Sequence, residues 1–169
     1  MELKVETWPI DRLVEYARNP RKNDEQVERM KAAIKEFGFR IPVVAKSDGT
    51  LVDGHLRLKA ARALGLTEVP VALADELTDT QVKAFRLLAN QSANWAQWDD
   101  DLLKLEIEDL KKDDFDIDLI GFEDWKLGGL GVEGEGFNRE AFFRDETQEE
   151  KDRKKKTVVC PHCGEEFEV

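Results

Sequence analysis

Apolar residues recur with two different periods along the first 126 positions, and the switches between them mark the elements. Residues 3–9 alternate weakly and read as an edge strand leading into Ile10-Asp11-Arg12-Leu13. Arg18-Asn19-Pro20-Arg21 is a turn signal, because the residue before a proline is pushed out of the helical region. From Asp24 onward, Val27, Met30, Ile34 and Phe37 share one helical face, with Asp24 as N-cap and Gly38 just past the end. Ile41-Pro42-Val43-Val44-Ala45 and Thr50-Leu51-Val52 flank Ser47-Asp48-Gly49 and predict a hairpin with an Asp-Gly turn. A second helix opens at Gly54-His55 and stops at Gly65. Val69-Pro70-Val71-Ala72-Leu73 then returns as a strand whose proline points to an edge or a strand start.

Helical spacing resumes after residue 77. Thr78 and Gln81 have capping-box spacing ahead of Val82, Phe85 and Leu88. Asp99 is placed to cap a helix carrying Leu103, Ile107 and Leu110, and 118–125 forms a short last piece. Trp95 and Trp98 are expected to plug the core, with stacking on a base as the alternative. Gly128, Gly129, Gly131, Gly134 and Gly136 then signal a flexible linker. Phe137, Phe142 and Phe143 would dock on the core or a partner. Residues 146–156 are almost wholly charged or polar, either a solvated helix or disorder, and Arg153-Lys154-Lys155-Lys156 reads as a solvated linker, with phosphate contact as the alternative. The expected organisation is an α/β core at 1–76, a helical extension at 77–126, a linker at 127–157 and a terminal unit at 158–169.

Composition sharpens this picture. Of the 169 residues 37% are charged, well above the roughly 25% of an average globular chain. The net charge of −11 divides unevenly, with +2 on residues 1–72 and −13 on the remainder. The front half is therefore expected to tolerate a polyanion, through local contacts rather than a global basic field, the alternative being surface charge that simply fell unevenly. No apolar run approaches the roughly 18–20 residues needed to cross a bilayer. The opening Met-Glu-Leu-Lys-Val-Glu lacks a secretory leader pattern. The expectation is a cytoplasmic protein with no membrane partner.

Chemistry concentrates at Val52-Asp53-Gly54-His55-Leu56-Arg57. A strand delivers the chain to a glycine and a helix starts directly after it. Helix N-termini offer unpaired N–H groups and the positive end of the macrodipole, a setting that attracts phosphate. The main chain of Gly54, His55 and Leu56 would supply donors, and Arg57 a bidentate guanidinium. His55 would donate to phosphate or move a proton, and Asp53 would help hold Mg²⁺ beside a nucleotide. The same residues also fit an ordinary strand-to-helix turn with Arg57 as a surface charge. Asn19-Pro20-Arg21, ahead of the other helix, would bring a second arginine to the same anion.

The order Asn19-Pro20-Arg21, Glu36-Phe37-Gly38-Phe39, Ile41-Pro42-Val43-Val44, Asp53-Gly54-His55-Leu56-Arg57, Leu64-Gly65-Leu66 and Val69-Pro70-Val71 resembles the ParB/sulfiredoxin superfamily. It looks most like the standalone ParB-like nuclease-type domains of phages and mobile elements. The similarity runs over roughly residues 5–100, through Leu88-Ala89-Asn90-Gln91 into Trp98-Asp99. It implies a small mixed sheet with helices, a phosphate pocket after Gly54, and a nucleotide such as CTP or ATP with Mg²⁺. It also implies a role in DNA metabolism of a phage or mobile element. Other members are enzymes, either phosphotransferases like free serine kinases or nucleases. A third possibility is a non-catalytic adapter for a DNA methyltransferase or packaging protein.

Departures narrow these options. Partitioning proteins carry Gly-Glu-Arg-Arg where this chain has Gly54-His55-Leu56-Arg57, and Ala89-Asn90 keeps only the asparagine of their Glu-Asn motif. The nucleophilic cysteine of sulfiredoxin is His55 here, which excludes that activity. The serine kinases' Asp-Gly-His-His-Arg is matched at Asp53, Gly54, His55 and Arg57, and Glu36 is the candidate carboxylate base. The helices of 78–125 look too few for the helix-turn-helix reader that partitioning proteins carry.

Val159-Cys160-Pro161-His162-Cys163-Gly164 is a second, different signal. Cys-x-x-Cys-Gly is half of a zinc ribbon, and a closed structural zinc needs four ligands. Cys160 and Cys163 would share zinc with a second copy in a homodimer or with a partner. A redox pair and an unmetallated relic are the other options.

Overall fold

The computed structural model describes residues 4–122, 124–131, 157–159 and 166–168. The chain divides into two compact units, Met1–Asn138 and Arg139–Val169. The first unit is a mixed α/β layer built on a four-stranded sheet. Its strands are β1 (Val5–Pro9), β2 (Val43–Ala45), β3 (Leu51–Asp53) and β4 (Glu68–Leu73), in the order β1-β4-β2-β3. β1 runs antiparallel to β4, β4 parallel to β2, and β2 antiparallel to β3. The β2–β3 hairpin turns at Gly49, whose φ of 91° needs the predicted glycine.

β4 is an interior strand, which corrects the expectation drawn from its proline. Pro70 lies opposite Thr7 on β1, and the parallel pairing with β2 begins one residue later at Val71. The missing N–H therefore falls outside the β2 ladder. Trp8, Leu13, Val43, Leu51, Leu58 and Val71 form the sheet-side core, at 0–3% exposure.

Two helices cover the sheet's connections. α1 (Val27–Phe37) packs on α2 (His55–Ala63). Asp24 does not cap α1. It opens a 3-10 turn (Asp24–Gln26), and its carboxylate instead meets Lys59 Nζ at 2.5 Å. Gly38, at φ 75°, ends the helix as expected.

α3 (Asp79–Gln91) starts with the predicted capping box between Thr78 and Gln81. α4 (Asp100–Lys112) starts with Asp99 accepting from the Leu102 N–H at 3.1 Å. A 3-10 turn (Ile117–Ile120) and α5 (Asp124–Gly129) replace the single piece expected at 118–125. Leu103, Ile107, Ile117, Leu127 and Leu130 bury each other in a second cluster. Gly128 and Gly129 thus close a helix rather than open a linker, because Leu127 and Leu130 at i,i+3 have a core to enter. Trp95 and Trp98, each 66% exposed, do not plug the core. Trp98 makes an edge-on contact with Phe122 at 5.4 Å.

In the second unit β5 (Thr157–Val159) pairs antiparallel with β6 (Glu166–Glu168). Phe137, Phe142, Phe143, Cys160 and Cys163 lie outside the described residues. Among the described residues no helix is long and apolar enough to cross a membrane.

Candidate functional site

β3 delivers Asp53 to Gly54, which is the N-cap of α2 at φ 98° and ψ 22°. A Cβ on Gly54 would lie 2.8 Å from Val43 Cγ1 and 3.2 Å from an Arg57 terminal nitrogen. Glycine is therefore required twice, for the left-handed backbone and for the close approach of β2. No side chain caps the first turn of α2, so its leading N–H groups keep the character of an anion site.

Arg57 lies across this turn. One terminal nitrogen donates to Asp53 Oδ2 at 2.9 Å and to the Pro42 carbonyl at 3.5 Å. Its Nε is buried and finds no acceptor among the described residues. Asp53 therefore orients the arginine. The carboxylate expected to help hold Mg²⁺ is thus paired with Arg57 through Oδ2. Among the described residues no group of three or more His, Cys, Asp or Glu side chains converges on a metal position.

The Asn19-Pro20-Arg21 loop is tied to α2 at both ends. His55, the first residue of α2, accepts the Tyr16 N–H on Nε2 at 3.3 Å. One turn later Lys59 donates to Asn23 Oδ1 at 3.3 Å as well as to Asp24. Arg62 donates to Glu15 Oε1 at 2.7 Å and to the Leu13 carbonyl at 2.8 Å. His55, Lys59 and Arg62 follow i, i+4, i+7 spacing, so one face of α2 grips residues 13–24. Within the loop the Arg21 N–H bonds Asn19 Oδ1 at 3.3 Å, and the Arg21 side chain is exposed.

His55 is only 8% exposed, and burial pushes its pKa below the usual histidine value. Arg86 and Lys59 push the same way, while Glu15 and Asp53 oppose them. A neutral ring with Nε2 as acceptor matches this environment. Leu56 is half-buried on the same turn. Asn90 folds back on α3, donating from Nδ2 to the Arg86 carbonyl at 2.7 Å. Glu36 is exposed on the last turn of α1.

Arg86 belongs to no motif and is missed by sequence reasoning. It is 8% exposed, donates to the Leu51 carbonyl at 2.9 Å, and its guanidinium carbon lies 3.7 Å from the Tyr16 ring centroid. The one local signal is its place four residues after Val82, on the buried face of α3.

Comparison with known proteins identifies the architecture. The family model for the ParB N-terminal domain matches residues 2–91, and that for the ParB-methyltransferase HTH domain matches 101–159. The second match bears on the expectation that the helices are too few for a DNA reader. The helices counted for that expectation end at 126, where the glycines suggest a linker, and the match runs on to 159. The "ParB-like nuclease domain-containing protein YnaK" of Escherichia coli (strain K12) is 38% identical over 81 residues, covering 47% of this chain and 93% of that protein. An uncharacterized protein, ORF326b of Acidianus two-tailed virus, is 39% identical over 44 residues, 26% of this chain and 14% of that protein. The C-terminally truncated chromosome-partitioning protein ParB from Caulobacter crescentus, complexed with CTP-gamma-S, superposes with a TM-score of 0.55 at 20% identity. The match covers 82% of this chain and 74% of that one. The match of the first family model to more than half of the chain, together with the identity to the Escherichia coli protein, shows that the chain belongs to the ParB N-terminal domain family.

Proposed function

We propose that this protein binds a nucleotide through its phosphates at the start of α2 and couples that binding to DNA contact through residues 101–159. The observation that carries the reading is the first turn of α2. Its N–H groups have no side-chain cap, and they lie beside a guanidinium whose buried Nε lacks an acceptor among the described residues. Desolvated donors of this kind are stabilised by an oxyanion. Asp53 orients Arg57, and Arg21, exposed on the tethered loop, would add a second guanidinium to the anion. Asn90 meets the ligand only if its amide leaves the Arg86 carbonyl. His55 serves as loop anchor rather than proton carrier, since Nε2 is engaged as an acceptor. CTP is the first ligand to try because the Caulobacter crescentus protein is complexed with CTP-gamma-S.

DNA is the macromolecular partner on this reading, in a phage or mobile element, and a methyltransferase is the companion suggested by the name of the second matched family. The terminal unit takes zinc through Cys160 and Cys163, with the remaining ligands from a second copy or a partner. Support comes from the Cys-x-x-Cys-Gly sequence itself, half of a zinc ribbon, and from the antiparallel pairing of Thr157–Val159 with Glu166–Glu168 on either side of it in the sequence.

Calorimetric titration of the full chain with CTP, ATP and ADP in the presence of Mg²⁺ tests the reading. Binding that Arg57→Ala abolishes, without turnover, is expected. Turnover with serine or DNA would transfer the site to the enzymes of the superfamily. No binding of any of the three would leave the adapter role. Equimolar zinc, lost in Cys160→Ser, is the expected result for the terminal unit.

A further inference from the structure

Resting on the phosphate reading above, we propose that Arg86 is a positioning residue for the ligand loop and that it acts through the ring of Tyr16. Arg86 belongs to α3, beyond the sheet, yet its side chain reaches back to β3 through the Leu51 carbonyl at 2.9 Å. Its flat face covers Tyr16 at 3.7 Å. The other side of the same residue is held by His55, which accepts the Tyr16 N–H. Tyr16 is thus clamped between α3 and the first residue of α2. It stands at one end of the segment whose other end, Asn23, is tied to Lys59. Arg18, Asn19 and Arg21 lie between these two ties.

The chemistry of Arg86 argues against a purely packing role. A guanidinium 8% exposed, with a buried Nε lacking an acceptor among the described residues, is a costly way to fill core volume. An apolar side chain would fill it with less penalty. Arginine combines a planar, cationic face for an aromatic ring with a directed N–H for a carbonyl, and lysine cannot do both. The residue fixes where Tyr16 sits, and Tyr16 fixes where the loop begins.

The test uses the full chain with Arg86→Met, Arg86→Lys, Tyr16→Phe and Tyr16→Leu, alone and combined. Native-state trypsin cleavage after Arg18 and Arg21 reads loop position without any ligand, and CTP titration reads its consequence. An Ile107→Val chain, adjusted by temperature to the same distance below its melting point, controls for general destabilisation.

Cleavage should rise, and CTP affinity fall, roughly tenfold in both Arg86 variants, as a larger open population of the loop would require. Tyr16→Phe should behave as the parent, because the ring is kept. Arg86→Met should add nothing in the Tyr16→Leu background. Cleavage of Arg86→Met that only tracks the Ile107→Val control, or losses that add in the double variant, would overturn the proposal. Arg86→Lys carries the same test if the methionine variant does not fold. If CTP does not bind the parent chain, the phosphate reading fails, while the cleavage arm still decides the role of Arg86.

Discussion

The sheet half and the helical extension each bury an apolar cluster, the first twice the size of the second among the described residues, and the two are finished to different degrees. Around the sheet, Trp8, Leu13, Leu51, Leu58 and Val71 come from distant parts of the chain and are 0–3% exposed. In the extension, Leu103, Ile107, Ile117, Leu127 and Leu130 come from 28 consecutive positions and are 1–8% exposed. Just outside that cluster Trp95, Trp98, Leu102 and Leu105 are 56–66% exposed. The contrast shows where each half uses its polar residues. The sheet half has closed its core, and its histidine, lysine and arginine tie a loop along one face of α2. The extension keeps charged residues for α-helical caps and leaves apolar surface uncovered. The two meet through α1, where Phe37 stacks on Phe115 at 5.9 Å.

The largest effects should come from breaking either core. Leu58→Ala and Ile107→Ala each remove a buried branched side chain, a loss of about 2–5 kcal/mol. Their reach should differ. Hydrogen exchange is expected to quicken in both halves for Leu58→Ala, and only in α4 and α5 for Ile107→Ala. Equal acceleration of the β2 and β4 amides by Ile107→Ala would show one cooperative unit and erase the distinction.

Gly54→Ala comes next, and it probes the border between core and site. The methyl group would stand 2.8 Å from Val43 Cγ1 at a backbone φ of 98°. Left-handed strain and overpacking together should cost about 2–4 kcal/mol. Denaturant unfolding measures the loss, and nucleotide affinity should fall with it. Gly65→Ala is the matching control. Its φ is 73°, but nothing lies within 4 Å of the added carbon, so only the backbone part remains.

These residues also show what is legible in the sequence. Val27, Met30, Ile34 and Phe37 announce α1, Thr78 and Gln81 announce α3, and Asp48-Gly49 announces the hairpin, because each is a local rule. Strand order is not legible. Pro70 points to an edge, and only the tertiary register, with β2 pairing from Val71, makes it tolerable inside the sheet. At the site, the Gly54 turn is readable from strand, glycine and helix in succession. The roles of Asp53, as partner of Arg57, and of His55, as acceptor for Tyr16, depend on contacts that no spacing encodes. Arg86 contacts Leu51 and Tyr16 across 35 and 70 positions, and its buried place on α3 is the sole local hint. The i, i+4, i+7 stripe of His55, Lys59 and Arg62 is visible, but its purpose requires knowing what lies against α2.

A smaller effect should appear with pH, and only in the sheet half. His55 is buried among Glu15, Asp53, Lys59 and Arg86, and burial holds its pKa below the usual value. The unfolded chain then binds the proton more readily than the folded one. The contribution is complete above the unfolded value of about 6.5 and is lost as pH falls from there toward the folded pKa. The slope for one proton is at most about 1.4 kcal/mol per pH unit. His55→Gln, with a non-titrating acceptor, should flatten the difference in stability between pH 7 and 5.5. Equal slopes for the parent and His55→Gln chains in that window would place His55 outside the clamp.

The smallest effect is expected on the uncovered face of the extension, and it separates the halves most directly. Leu102 and Leu105 are 60% and 56% exposed, so replacing both with serine removes little buried area. The cluster behind them relies on Leu103 and Ile107, which point the other way from α4. The Asp99 cap and the helix itself are retained. Stability of the double variant should stay within about 0.5 kcal/mol of the parent, as for surface positions generally. The same change at Val43 and Leu51, both fully buried, would unfold the sheet half. A loss above about 1 kcal/mol on replacing Leu102 and Leu105, measured by denaturant unfolding of the dilute chain, would mean that this face is covered in solution. The extension would then be as finished as the sheet, and the contrast between the two halves would belong to the isolated chain alone.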